Sequence, residues 1–319
     1  MRVVITGGTG TLGRALIPRL LADGHERVVS VSRDEVKAGD VATDFAHPNL
    51  RVFLADVRDR DRLVQAFSGC DTVIHAAALK RVTESAYNPS ELIKTNILGT
   101  MNVIWAAQQV GARNVLFISS DKAVHATNLY GSTKFTAECY AVQANSYTYP
   151  NGLSVACTRY GNVLGSRGSV TEIWKGIPGD QPLPLTHLKM TRFMITKDEA
   201  VNFILHRLRD MEAGLVYVPR LPSYRLADLA EALYPGRPLA HTGLRPGGEK
   251  LHESLLSDEE LSRVNESPET AYAIILPSFK TWEDAQWCTA ALDTPGDYNS
   301  RTAWRLTVEE LREICRRHS

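Results

Sequence analysis

The sequence has no surplus of charge of either sign: 36 lysines and arginines face 36 aspartates and glutamates. That balance argues against a nucleic-acid binder, which carries a basic excess. No apolar run approaches the ~20 residues of a spanning helix, so no membrane association is expected. Met1 leads directly into a strand-like segment with no signal-peptide pattern, which predicts a cytoplasmic protein. Cysteine is sparse. Cys70, Cys139, Cys157, Cys288 and Cys315 are scattered, odd in number and without a CxxC pair, as in reduced packing cysteines. Repeats, low-complexity linkers and His/Cys/carboxylate clusters of metal-ligand spacing are lacking too, so no metal is expected. What remains is a 319-residue chain, long enough for a large core and about two domains.

Arg2–Ile5 reads as a short apolar strand, followed by Thr6-Gly7-Gly8-Thr9-Gly10-Thr11-Leu12-Gly13 and a helical pattern over Leu12–Leu21. Glycines spaced G-x-x-G-x-x-G between strand and helix let backbone N–H groups and a helix N-terminus approach a pyrophosphate. Gly7, Thr9, Gly10, Thr11, Leu12 and Gly13 are the candidate dinucleotide contacts. The second strand, Arg27–Val31, ends in Ser32-Arg33-Asp34-Glu35. Ser32 and Arg33 suit a ribose 2′-phosphate and favour NADP, whereas Asp34 and Glu35 leave NAD open. After the third strand, Asp56 and Val57 flank the adenine, or Asp56 caps a helix over Arg58–Phe67. The fourth strand, Thr72–Ala76, runs into Ala77 and Ala78, small enough with Ala76 for close backbone approach to a cofactor. Lys80 is a candidate for cofactor or substrate phosphate, or a solvated lysine. His75, between apolar neighbours, reads as a core histidine.

A helical pattern over Leu92–Val110 and a strand over Asn114–Ile118 lead to Ser119–Lys134, SSDKAVHATNLYGSTK. Tyr130 and Lys134 are spaced i, i+4 and share one face of a helix predicted over Tyr130–Ser146. Asp121 and Lys122 lie just past the strand's C-terminal end, where open α/β sheets bind ligands. After a strand over Leu153–Arg159, a glycine-rich loop offers Asn162 and Arg167 to substrate phosphates. The alternation of strands and helices predicts a doubly wound parallel sheet, a Rossmann-type α/β fold. Residues 1–165 are expected to form the dinucleotide-binding domain, with 190–220 returning to its sheet. Residues 166–319 form a smaller, interleaved, mainly substrate-binding domain. It includes helices over Lys197–Arg209, Tyr224–Tyr234 and Thr307–Arg317, the last opening on a capping-box pattern.

Taken together, TGGTGTLG, HAAALKRV, NPSELIKTNILGT, SSDKA…NLYGSTK, RYGNVLGSRGS, MTRFMIT, EKLHESLLSDEE and YNSR…LTVEELRE are specific. The chain resembles extended short-chain dehydrogenase/reductases, and among them UDP-N-acetylglucosamine 4,6-dehydratases of the PseB and capsular polysaccharide type, in a short soluble form. The resemblance implies NADP, a UDP-sugar substrate and a homo-oligomer built on the helices around 92–110 and 130–146. It implies that Tyr130 takes the 4-hydroxyl proton and Lys134 holds the nicotinamide ribose and lowers the tyrosine pKa. It further implies Lys122 as the C5 base, Asp121 as the acid for the departing 6-hydroxyl, and Ser119 or Ser120 near O4. The base role requires a neutral Lys122, with its pKa pushed down by Lys134 and the oxidised nicotinamide, and the acid role a protonated Asp121. Retention of Tyr130 implies inversion at C5, and Arg245 and Glu249 are expected to hold the uridine. Two departures from the family pattern stand out: one additional glycine in Arg245–Lys250, and His125-Ala126-Thr127 where proline is common. A 4-epimerase, a bifunctional dehydratase/C5-epimerase and a non-catalytic NADP-binding scaffold are the competing readings.

Overall fold

The structure, a computed structural model, describes residues 1–80, 87–244, 247–267, 272–275, 277 and 298–318. Seven short, nearly all-apolar runs become parallel strands, the composition expected of strands covered on both faces. They are β1 (Arg2–Thr6), β2 (Arg27–Ser32), β3 (Leu50–Leu54), β4 (Thr72–His75), β5 (Asn114–Ile118), β6 (Ser154–Thr158) and β10 (Val216–Pro219). The spatial order β3-β2-β1-β4-β5-β6-β10 is extended by β15 (Tyr272–Ile275) and β14 (Val264–Ser267), joined antiparallel. Chain order reverses between β1 and β4, which opens a crevice at their C-terminal ends.

Helices α1 (Thr11–Ala22), α2 (Glu35–Asp44), α3 (Arg60–Phe67), α4 (Gly99–Gln109), α5 (Leu129–Gln143) and α6 (Lys197–Arg209) cover the sheet. Leu16, Ile17 and Leu20 on one face of α1, Val103 and Ile104 of α4, and Ala137 and Ala141 of α5 are buried against it. Each fully buried leucine, isoleucine or valine among them contributes about 1.5–3 kcal/mol. Helix α1 runs through Pro18 without interruption. The pattern read as one helix over 92–110 is broken by a π-helical turn, Lys94–Leu98, ahead of α4. Such bulges re-aim side chains near functional sites. Here Asn96, on that turn, donates to Leu79 O (3.0 Å) and Thr133 Oγ1 (3.0 Å) and accepts from Leu79 N–H (2.8 Å).

Residues 190–220 divide between two sheets. Only β10 joins the main sheet, next to β6. Strand β9 (Thr191–Ile195) instead lies between β7 (Asn162–Val163) and β11 (Ser223–Arg225). A second core around Trp174, Leu183, Met190, Leu229 and Leu311 packs α7 (Leu226–Leu233) against α8 (Val308–His318). Thr307 and Glu310 exchange the reciprocal hydrogen bonds of a capping box (2.8 and 3.2 Å). Arg159, just past the end of β6, fastens α5 to the segment over 255–260. Its buried guanidinium pairs with Glu138 on α5 and Glu260 (2.8 Å), and donates to Leu255 O (2.9 Å).

Candidate active site

The glycine turn is fixed from both sides. Gly7 and Gly8 N–H groups donate to Val31 O (2.9 and 3.2 Å), and Gly7 takes a left-handed φ of +72°. A Cβ on Gly7 would lie 2.9 Å from Ala77 N, and one on Gly13 2.5 Å from Gly8 Cα. The cradle is therefore backbone against backbone, and it fits a dinucleotide pyrophosphate at the N-terminus of α1. At the end of β2, Ser32 Oγ bonds Thr9 Oγ1 (2.9 Å). Asp34 caps α2, accepting from Lys37 N–H (3.1 Å) and pairing with the Lys37 ammonium. Its carboxylate is thus engaged in the helix end. Arg33 remains half exposed, with Nη1 3.8 Å from Asp56. The alternative role of Asp56 as a helix cap is corrected: α3 starts at Arg60 and is capped by Asp59, which accepts from Arg62 N–H (3.0 Å). Asp56 instead binds Arg58, through its N–H (2.9 Å) and its guanidinium (2.6 Å).

At the other end of the crevice, β5 and β6 separate only after Ser119 N–H has bonded Thr158 O (2.7 Å) and Asp121 N–H has bonded Tyr160 O (3.1 Å). Ser120 caps a single 3₁₀ turn, Asp121–Ala123. Asp121 is fully buried; its Oδ1 accepts from Ser120 Oγ (2.8 Å) and Lys122 Nζ (2.8 Å). Among the described residues its Oδ2 and the hydroxyl of Ser119 have no hydrogen-bond partner. Asn128 caps α5, and Gly131 lets that helix close on the turn, since a Cβ there would come inside 3.0 Å of Lys122 O. Tyr130 and Lys134 are both buried. Lys134 Nζ donates to Ile118 O (2.6 Å) and lies 4.1 Å from the Phe117 ring centroid. Burial pushes its pKa down to about 8. His75 is held by Thr6 (2.7 Å) and Thr100 (3.0 Å), a satisfied core histidine.

Two electrostatic expectations are corrected. Burial does pull the Lys122 ammonium down, but Asp121 and then Glu253 outweigh it, and its pKa is raised. Burial raises the Tyr130 phenol, and the leading cation that pulls it back is Lys122.

All the candidate cofactor residues, from Gly7 through Asp56, Val57 and Ala76–Ala78 to Lys80, line one cavity of about 910 Å³. Ser119, Ser120, Lys122, Tyr130, Lys134, Asn162, Arg167 and Glu249 line it as well. Asn162 Oδ1 lies 3.4 Å from Lys122 Nζ. Arg167 falls in the cofactor half: its N–H donates to Thr11 Oγ1 (3.1 Å), and its charge bears on Asp34. Asp121 sits behind Lys122 and does not face the cavity, and Arg245 lies outside the described residues. Arg192, Lys250 and Glu253 also line the cavity and were not singled out from the sequence. The buried Arg192 donates to Lys250 O (3.0 Å) and Leu251 O (3.2 Å) and pairs with Glu249 (3.4 Å). The two departures from the family pattern meet in space. Thr127 Oγ1 (2.5 Å) and Asn128 Nδ2 (3.2 Å) donate to Gly248 O, and Gly248 has φ +83°. His125 takes φ +46°, a conformation closed to proline. No metal-binding group of three or more side chains occurs among the described residues.

A Rossmann sheet, a glycine cradle and a Tyr-x-x-x-Lys helix sharing one cavity are the architecture of the extended short-chain dehydrogenase/reductases. Within that class the chain belongs to the polysaccharide biosynthesis protein family, whose model matches residues 3–274. It is 41% identical over 281 residues to a Campylobacter jejuni protein named UDP-N-acetylglucosamine 4,6-dehydratase (inverting), covering 87% of this chain and 83% of that one. A Rickettsia felis UDP-glucose 4-epimerase is 35% identical over 327 residues, covering 98% of this chain and 94% of that one. The crystal structure of Pen from Bacillus thuringiensis superposes with a TM-score of 0.89 at 32% identity, covering 99% and 98% of the two chains.

Proposed function

We propose that the protein is a C5-inverting UDP-N-acetylglucosamine 4,6-dehydratase, yielding a UDP-4-keto-6-deoxy-N-acetylhexosamine. The observation that carries this reading is Lys122, paired with Asp121 and facing the cavity beside Tyr130. A hydride transfer alone needs only Tyr130 and Lys134; loss of water also needs groups that move the C5 proton and a proton to the C6 hydroxyl. The identity with the Campylobacter dehydratase supports the same substrate. The glycine cradle, Tyr130 and Lys134 would hold a nicotinamide dinucleotide, which would supply hydride acceptance at C4 and hydride return at C6, so that the net reaction is loss of water. Tyr130 takes the 4-hydroxyl proton. The ketone at C4 makes the C5 proton acidic, and Lys122 removes it. For this Lys122 first passes its ammonium proton to Asp121 Oδ1, 2.8 Å away, which frees the base and makes Asp121 the proton store for the departing C6 hydroxyl, relayed through Ser120 Oγ (2.8 Å).

The engagement of Asp34 in the α2 cap, with Ser32 and Arg33 at the strand end, supports NADP over NAD. Residues 1–165 form the dinucleotide-binding part and 166–319 mainly the UDP-sugar part. Exposed Leu98, Met101 and Phe135 on the helical segments over 89–109 and 129–143 support a homo-oligomer. No described helix is long and apolar enough to cross a membrane, which fits a cytoplasmic role.

The Rickettsia relative, matching along 98% of this chain, favours 4-epimerisation as the second reading. NMR of the product from UDP-N-acetylglucosamine and NADP separates the two. A 4-keto-6-deoxy sugar labelled at C5 in deuterated water is expected, and UDP-N-acetylgalactosamine would overturn the proposal. Lys122→Ala should stop water loss with cofactor binding intact.

A further inference from the structure

We propose that Glu253 is a positioning residue for this reaction, acting on Lys122 together with Asp121 and setting that lysine's readiness to accept the C5 proton. The inference rests on the dehydratase reading. Glu253 is nearly fully buried yet lines the cavity, unlike Asp121. Its Oε1 lies 3.6 Å from Lys122 Nζ and 3.9 Å from Arg192 Nε, and its Oε2 lies 2.9 Å from Lys250 Nζ. The backbone is pinned as well: Glu253 N–H donates to Ser300 Oγ (3.0 Å), and Ser300 N–H donates to Glu253 O (2.8 Å). Lys250 Nζ also donates to Val124 O (2.8 Å), just past the catalytic turn. The segment carrying Glu253 is therefore fastened to the turn carrying Lys122.

The charged and titratable groups that bear on Lys122 come from several elements. Asp121 lies on its own turn and Glu253 on the segment after Gly248. Arg192 lies on β9, Tyr130 on α5 and Tyr224 on β11. Burial pushes Glu253 up, but Lys122, Arg192 and Lys250 outweigh it and hold it at about 2, so it is a carboxylate at any working pH. Two carboxylates against the Arg192 guanidinium keep Lys122 an ammonium in the protein itself. Glu253 is the one of the two that a sugar in the cavity can reach. Contacts made there loosen the hold on the Lys122 proton and couple sugar binding to the release of the base.

The test is the pH dependence of kcat for 4-keto sugar formation, compared among wild type, Glu253→Gln and Glu253→Asp, with NADP saturating. Removing one opposite charge this close should move the rising limb about 1–3 pH units lower in Glu253→Gln, with Glu253→Asp between it and wild type. A purely structural role would lower kcat and leave the limb where it is, and that result would overturn the inference. An independent arm follows Lys122 by NMR of lysine ε-carbons, assigned with Lys122→Met, in the NADP-bound protein. Its titration should fall in Glu253→Gln, and an unmoved titration refutes the inference. Should wild type make no keto sugar, the dehydratase reading fails while the NMR arm still decides the effect of Glu253 on Lys122. Should Glu253→Gln fail to fold, Glu253→Asp carries both measurements with a smaller shift.

Discussion

Gly131 is the point at which one methyl group tests the placement of the whole catalytic turn. It is the third residue of α5, directly after Tyr130, and an added Cβ would come inside 3.0 Å of the Lys122 carbonyl oxygen and 3.2 Å from Ala126 Cβ. The obstacle is backbone rather than a flexible side chain, so the helix and the turn must move apart by roughly 0.5–1 Å, enough to cost about 10²-fold in rate at a reacting centre. Stability responds less. Overpacking costs about 1–3 kcal/mol, while replacing glycine by alanine inside a helix returns about 0.5–1 kcal/mol. Gly131→Ala should therefore lower kcat about 100-fold with net destabilisation near 1 kcal/mol. NADP affinity should fall far less than kcat, because the glycine cradle is untouched and only the contacts from α5 shift. Gly39→Ala is the matched control. Gly39 lies inside α2 with open space around its would-be Cβ, so that variant should gain about 0.5–1 kcal/mol and keep full activity. Steady-state kinetics, NADP titration and urea denaturation read all three quantities. A Gly131→Ala enzyme within twofold of wild-type kcat would refute the claim that this contact sets the distance between Tyr130 and Lys122.

Three further predictions address other parts of the molecule. Arg159→Met leaves Glu138 and Glu260 without their shared guanidinium and should cost about 3–5 kcal/mol in urea denaturation at neutral pH, less at pH values where carboxylates protonate. Burial pushes His75 down to about 3, so it stays neutral in the fold while the unfolded chain's imidazole takes up a proton below about 6.5. Stability from this group is complete above that pH and is lost by about 1.4 kcal/mol per pH unit as pH falls towards 3; His75→Gln should flatten the acid side of the stability curve. Arg33→Ala should weaken NADP by about tenfold or more and NAD much less, as expected when a charge-assisted hydrogen bond to a 2′-phosphate is lost; equal loss for both cofactors would argue against a 2′-phosphate contact.

What the sequence determined by itself is what short-range physics encodes. Apolar runs of four to six residues became the parallel strands, the glycine spacing produced the cradle at the start of α1, and the i, i+4 spacing put Tyr130 and Lys134 on one helix. The Thr307 capping box formed because its partners lie three residues apart. Where one residue carried two readings, sequence could not rank them: Asp56 was open as an adenine contact or a helix cap, and the folded backbone gave the cap to Asp59. The charge state of the site was decided by a sequence neighbour together with a partner that only the tertiary structure supplies. Lys122 is governed at 2.8 Å by its sequence neighbour Asp121 and at 3.6 Å by Glu253, which no local pattern connects to it. Arg167 moved to the cofactor half for the same kind of reason, as the direction of a loop follows from what it packs against. Electrostatic interactions act over a few ångströms in space, whereas the fold brings together residues more than a hundred positions apart. The residues proposed to react could therefore be read along the chain, and those proposed to tune them only from the folded cavity.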